Sequence, residues 1–578
     1  MKKYILLNCL FFCLLSTFAT SLPFDVYDRE IVIKDFFLNH FDNDVIVVFD
    51  DEKALVNIFG NEDELFCQLN AYPVLEEESQ AVLATILYND NMFLAISHYK
   101  IFKPIKAFSL DAGIRYKDAD TPIGIQLIEG MYQSDFNNKS EVSFKSSTTT
   151  PAVRRGDITM YGPWVSSLFG QVNCYDASGN IANVTNYYTP SNYAAGCVAI
   201  TLTTVLDYFK WPPIGVGTSS YSDTRGSSTG SYSANYGGRF YDWDNVLRRY
   251  DNRESTDVQR KALGKVAYDT SVALRTNYEA TGSSADIIDI PTIIKAFFRF
   301  SYANYLTVSS SSFWTQVDRN VLKRIPIPFA ISSTTGSVAH AIVCDGLYYD
   351  NATPDDKMYH LNMGWWGDGN GWYDIQGSFN ASSYSKITAG VFNFTPIPYG
   401  NEIDFVPNTD SIIVSWQFPE VENHKLEGFE LQMHTGDGDW ADVVTLDSGV
   451  FAYTLESDLQ SDYHFRVRAL TSDYTSDYSN TMLLEDYPAS IVDHSFEGNL
   501  TVYPSITSSF LNVTCGESFT GPVDIRIYDM LGNRHEVQYV KNFDNKYKVE
   551  VQHLVAGNYI VSVSTKDASI SQQFLKRN

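Results

Sequence analysis

The run over residues 194–213 has a defined start and a defined stop, and it fixes one buried element of the fold. Val198, Leu202, Val205, Leu206 and Phe209 recur at helical spacing, which predicts a helix with one buried face. Trp211-Pro212-Pro213 ends it, because proline lacks the amide hydrogen and its ring clashes with the preceding turn. Cys197 therefore falls in the first turn, directly after Gly196. Unpaired amide N–H groups and the positive end of the helix dipole gather there, and both favour a thiolate. The expectation is a thiol pKa lowered toward neutrality, with Gly196 allowing close approach of a substrate backbone. A cysteine opening a helix is by itself more often a small buried hydrophobe, so the reading needs a partner.

That partner is expected in Val338-Ala339-His340-Ala341-Ile342-Val343-Cys344-Asp345-Gly346, an apolar, β-branched run that reads as a buried strand. A buried imidazole must be hydrogen-bonded or functional. His340 follows Cys197 by 143 residues, within the range of roughly 130–150 between Cys and His in papain-like enzymes. Asn362 then ends a second strand ahead of a Trp-Gly turn, and its carbonyl is expected to hold the other ring nitrogen. His360 is a rival base on the same strand face as Asn362. The Cys197 amide supplies one oxyanion donor, and the Gln171 side chain is placed for the second, although on its own Gln171 reads as a polar loop residue.

At 578 residues the chain needs several domains of about 100–200 residues each. Met1-Lys2-Lys3 followed by an apolar run to Phe18 and the small residues Ala19-Thr20-Ser21 reads as a signal peptide, 1–21. That run is shorter than the roughly 20 residues a membrane span needs, and no transmembrane anchor is expected. Seams divide the rest into a mixed region 22–136, a polar linker 137–156 ending in Arg154-Arg155-Gly156, a central unit 157–397, and two all-β units, 398–486 and 487–578. A net charge of −27 argues against a nucleic-acid partner. After signal removal five cysteines remain with no C-x-x-C pair, so neither a zinc ribbon nor a redox dithiol is indicated, and no metal or organic cofactor is implied.

Several ordered motifs in the central unit carry a family resemblance. Gly196-Cys197-Val198-Ala199 through Trp211-Pro212, the His340 run ending in Asp345-Gly346, Tyr359-His360-Leu361-Asn362 with Gly364-Trp365, and residues 164–171 resemble segments of the streptopain family of bacterial cysteine proteases. Tyr241-Asp242-Trp243 and residues 278–285 are similar to family segments beside the cleft. The resemblance implies an α+β architecture: a papain-like peptidase domain preceded by an α+β pro-domain and followed by two β-sandwich domains. It implies catalytic roles for Cys197, His340, Gln171 and Asn362, and a substrate-binding position for Gly196, Ala339 and Trp365. Substrates would be polypeptides with a bulky apolar residue second from the cut on the acyl side. Two departures stand out: Ala339 where the family usually has Gly, and Met363 where it often has Trp.

Residues 91–110 resemble the streptopain pro-region, which implies an intramolecular inhibitor covering the cleft until the 137–156 linker is cut. Residues 398–486 resemble a fibronectin type III sandwich, expected to act as a spacer. Val502-Tyr503-Pro504-Ser505, Ile527-Tyr528-Asp529-Met530-Leu531-Gly532 and Leu554-Val555-Ala556-Gly557-Asn558-Tyr559 resemble the C-terminal sorting domain of the type IX secretion system of Bacteroidetes. That implies a secretion-machinery partner and release or outer-surface attachment. The expected function is a secreted cysteine endopeptidase made as a zymogen. Two alternatives are a Cys-His amidase acting on cell-wall peptides and an inactive surface adhesin, the latter motivated by Ala339, Met363 and the two β units.

Overall fold

A computed structural model describes residues 29–577 outside 115–124, 133–157, 333–338, 377–385, 485–499 and shorter gaps. The signal peptide and the linker with its Arg154-Arg155 pair lie outside the described residues. Helix α1 (Arg29–Phe41) precedes strands β1 (Ile46–Asp50), β2 (Leu55–Phe59), β3 (Leu65–Leu75), β4 (Val82–Tyr88), β5 (Phe93–Ser97) and β6 (Ile105–Ser109). The central unit contributes β7 (Ile158–Tyr161), helices α2 (Cys197–Phe209), α3 (Asp257–Ala273) and α4 (Ile290–Phe297), β8 (Phe300–Thr307) and α5 (Phe313–Leu322). It continues with β9 (Ile327–Ser332), β10 (Ala339–Asp350), β11 (Lys357–Asn362), β12 (Gly371–Tyr373) and β13 (Lys386–Pro396).

These strands form one 13-stranded sheet in the order β1-β2-β3-β4-β5-β6-β12-β11-β10-β9-β13-β8, with β7 paired to β10. The N-terminal region and the central unit are thus joined by backbone hydrogen bonding, β6 to β12, with Phe108 opposite Trp372 and Ala107 opposite Tyr373. Strands far outnumber helices, so the expected mixture of helix and strand is present with a strong bias to strand.

Helix α2 forms where the spacing predicts, but it is buried nearly all round rather than on one face. Thr201, Thr203, Thr204 and Asp207 are buried along with the apolar positions. The reason is its place between α3 and β10, where Thr203 Oγ1 and Thr270 Oγ1 hydrogen-bond across the helix pair at 3.0 Å. The helix stops in a left-handed Lys210, with the Trp211 amide donating to the Leu206 carbonyl at 3.1 Å. A helix sealed on all sides holds its first residue in a fixed place.

Three apolar clusters share the large sheet. One surrounds α2, α3 and α4; the second joins α5 to the sheet and to Ile125, Leu127 and Met131; the third packs α1 against Phe108, Met358 and Trp372. Beyond residue 398, two four-stranded sheets close over Trp416, Phe429 and Phe465, and two further sheets close over Val513, Ile527 and Val561. Among the described residues, Cys67, Cys174, Cys197, Cys344 and Cys515 are free thiols.

Candidate active site

Gly196 caps α2 with φ +94 and ψ 146, and a Cβ there would lie 3.1 Å from the Ser283 carbonyl oxygen. Ser283, in the 278–285 segment, therefore lies against the entry to the helix. Cys197 follows, and the backbone N–H groups of Ala341 and Val198 are near enough to its sulfur to favour a thiolate. Ala341 is the residue after His340 in the same strand.

His340 is the second residue of β10, opposite Ile331, and is buried. Its Nε2 lies 2.9 Å from the Met363 carbonyl oxygen. A carbonyl can only accept, so Nε2 carries the hydrogen and the neutral ring has its lone pair on Nδ1. Trp365 stacks on the imidazole, centroids 5.9 Å apart at 22°.

Electrostatics in the full-length chain run against the expected lowered thiol. Burial pushes the Cys197 thiol up, and the backbone N–H groups oppose this without overcoming it. Burial likewise pulls His340 down to about 4, opposed by its bond to Met363. Desolvation disfavours charge on both groups. Position at a helix start does not carry this cost, since burial depends on what packs over the site.

Asn362 takes a different place from the one expected. Its Nδ2 donates to the Ser167 carbonyl at 2.8 Å, and its Oδ1 accepts from the Gly364 amide at 3.1 Å. The ring nitrogen expected to meet the Asn362 carbonyl meets the Met363 carbonyl instead. That carbonyl belongs to the same peptide unit as the Gly364 N–H, so Asn362 holds the group that holds the imidazole. A main-chain acceptor leaves no trace in residue type, which is why sequence reasoning passed over Met363 and Ser167.

Gln171 is buried, and its carbonyl accepts from the Ala195 amide at 3.0 Å, two residues before the nucleophile position. Gly170 bridges to Trp365, and the Trp366 amide donates to the Phe169 carbonyl at 3.1 Å. Segment 169–171 thus ties the helix entry to the Trp loop. Ala339 is exposed at the start of β10. The rival His360 donates through Nδ1 to the Asp345 carboxylate at 2.6 Å and packs edge-on against Trp372. Asp345 also accepts from the Val165 amide at 2.7 Å, which makes this a buried polar knot within the sheet.

Among the described residues, no group of three or more His, Cys, Asp or Glu side chains could hold a metal ion, and no helix is long and apolar enough to cross a membrane. The arrangement of Cys197, His340 and backbone donors is suited to thiol acyl transfer.

Comparison with known proteins agrees with this chemistry. The Peptidase C10 family matches residues 169–373, and the Secretion system C-terminal sorting domain matches residues 501–577. Streptopain of Streptococcus pyogenes is 24% identical over 208 residues, 35% of this chain and 50% of streptopain, so the chain spans about half the length of that curated relative. The thiol protease/hemagglutinin PrtT of Porphyromonas gingivalis is 25% identical over 180 residues, 30% of this chain and 20% of that protein. Among solved structures, active interpain A cysteine protease of Prevotella intermedia is 25% identical with a TM-score of 0.34, covering 40% of this chain and 94% of that one. A prointerpain A fragment is 20% identical with a TM-score of 0.41, covering 56% and 98%.

Proposed function

Residues 169–373 being a Peptidase C10 domain and 501–577 a secretion sorting domain, we propose that the exported chain is a cysteine endopeptidase made as an inactive precursor. The observation that carries this is a Cys197 sulfur at a helix start near the Ala341 amide, with the preceding residue His340 anchored through Nε2. In the reaction, His340 Nδ1 takes the proton from Sγ, and the thiolate attacks the scissile carbonyl carbon. The Cys197 amide and the Gln171 side chain stabilise the oxyanion. The C–N bond breaks as the imidazolium gives its proton to the departing amine, leaving a thioester. Water, deprotonated by the same nitrogen, then attacks the thioester and releases the acid and the thiol.

Substrates are polypeptides lying across Gly196, Ala339 and Trp365. The papain-like peptidase domain spans 157–397, the pro-domain 22–136 is its intramolecular inhibitor, and a cut within 137–156 frees the enzyme. The shared β6–β12 edge supports this, since the N-terminal region cannot leave without breaking a strand pairing. Residues 398–486 are a fibronectin type III-like sandwich, and 487–578 are read by type IX secretion machinery and then removed. An intact N-terminus at Leu22 in fully active secreted enzyme would rule out the maturation step.

The test is casein hydrolysis under reducing conditions by processed wild type, Cys197→Ala and His340→Ala. Each variant is expected to lose nearly all activity; a Cys197→Ala protein that still cleaves casein removes the proposal.

A further inference from the structure

The loop between β11 and β12, residues 363–370, has no strand ladder to hold it. Its backbone is left-handed at Gly364 (φ +72) and Trp366 (φ +56), and main-chain bonds to Phe169 and Gly113 hold its Trp366 and Gly369 end, while its Met363 end is held by side-chain brackets. Two asparagines supply them. Asn362 Oδ1 accepts from the Gly364 amide at 3.1 Å, as described above. From the far end of the loop, Asn370 Oδ1 accepts from the Met363 amide at 2.8 Å. Asn370 is 3% exposed, and its own amide donates to the Gly367 carbonyl at 3.3 Å. Met363 is therefore gripped on both of its flanking peptides, and its carbonyl is the acceptor 2.9 Å from His340 Nε2.

We propose that Asn370 is a positioning residue for the reaction: together with Asn362 it fixes the Met363 carbonyl, and through it the tautomer and orientation of the His340 ring. The inference deepens the peptidase reading and rests on it for its kinetic consequence. Without the Asn370 acceptor a buried N–H is left unpaired, and the cheapest relief is rotation of the 362–363 peptide. That rotation drags the next carbonyl off the imidazole axis. Selection of the Nε2–H form by the Met363 carbonyl is then weakened, and a share of the rings turns the wrong nitrogen to the sulfur. Misplacement of a catalytic group on this scale costs roughly 10- to 100-fold in rate.

Two readouts test this. In the full-length Cys197→Ala chain labelled with 15N-histidine, with His340 assigned by its loss in a His340→Ala version, the ring is expected to be a single Nε2–H tautomer. Asn370→Leu is expected to give a mixture, and Asn370→Asp, which retains an acceptor oxygen, to restore the single form. In processed enzyme counted by active-site labelling, Asn370→Leu is expected to lower kcat about 10- to 100-fold with KM little changed, and Asn370→Asp to recover most of it. Asn370→Ala removes the acceptor without added bulk and carries the same expectation if the leucine variant does not fold. A single Nε2–H tautomer surviving in both acceptor-free variants overturns the proposal, as does a kcat within twofold of wild type. If wild type itself cleaves no casein, the functional reading falls, and the imidazole spectra still decide the role of Asn370.

Discussion

Gly196 sits at φ +94 and ψ 146, a region that side-chain-bearing residues occupy at a cost of about 1–3 kcal/mol. Its absent Cβ would also crowd the Ser283 carbonyl at 3.1 Å. Gly196→Ala is therefore expected to lower stability by about that amount and to displace the first turn of α2, cutting kcat/KM at least tenfold. Thermal melts and casein kinetics on the same preparation check both halves. The two histidines separate in the opposite sense. His360→Ala removes one of the two donors to the buried Asp345 carboxylate, an expected loss of about 1–3 kcal/mol, while activity per labelled site stays near wild type. His340→Ala is expected to abolish activity with a much smaller effect on the melt. Cys197 and His340 were legible in the sequence because a thiol at a helix start and an imidazole inside an apolar strand are each anomalies of residue type. The Met363 carbonyl was not, since every residue carries one and only the folded loop selects which is used.

At the level of elements, α2 was readable to its ends because helical spacing and a Pro-Pro stop are local signals. The β6–β12 pairing was not, because two strands more than 260 residues apart along the chain meet through backbone groups common to all sequences. That joint has an acid-sensitive component. His40, in the last turn of α1, lies between Phe36, Phe108 and the central unit's Tyr348, with ring centroids 4.2, 5.2 and 6.2 Å away. Its Nδ1 bonds the Phe36 carbonyl at 2.8 Å, and Nε2 is buried without a partner. Burial pulls its pKa below the ordinary value of about 6.5, so the folded state resists protonation while the separated state accepts it. The released form then binds more protons, and packing of α1 is fully stable above about pH 6.5 and weakens as pH falls below it. Limited proteolysis of the full-length Cys197→Ala chain from pH 7.5 to about 5 should show residues 22–136 becoming more susceptible. His40→Phe, which keeps the aromatic packing, should flatten that trend; an unchanged trend refutes the assignment.

On the scale of the whole molecule, the sandwich at 398–486 was expected to be a spacer, and its contacts describe a docked unit instead. Asp473 on its 471–477 turn pairs with both Arg319 and Lys323 of the central unit, and Asp477 reaches Lys295 at 3.2 Å. Tyr474 stacks on Tyr302 with centroids 4.5 Å apart, Phe418 meets Trp211, and the Arg299 guanidinium lies 4.9 Å over Tyr399. Composition could not reveal this, because acidic loop residues look the same whether they face water or a partner. Asp473 and Lys323 have side-chain exposures of 19% and 7%, between the exposed pairs that contribute little and the sealed pairs whose rupture is severe. Asp473→Ala should therefore weaken the junction by about 2 kcal/mol, since it leaves a nearly buried ammonium without its carboxylate. Because Arg319 lies in the last turn of α5 and Lys323 caps it, and α5 packs on β10 and β13, the loss should be felt by the peptidase unit as well as by the sandwich. Calorimetry of full-length protein is expected to show one coupled transition in wild type that broadens or splits in Asp473→Ala. Asp477→Ala, whose pair with Lys295 is more than half exposed on both sides, should leave the trace almost unchanged. Identical traces for wild type and Asp473→Ala would mean that the two units unfold independently and that the junction is only a contact of convenience.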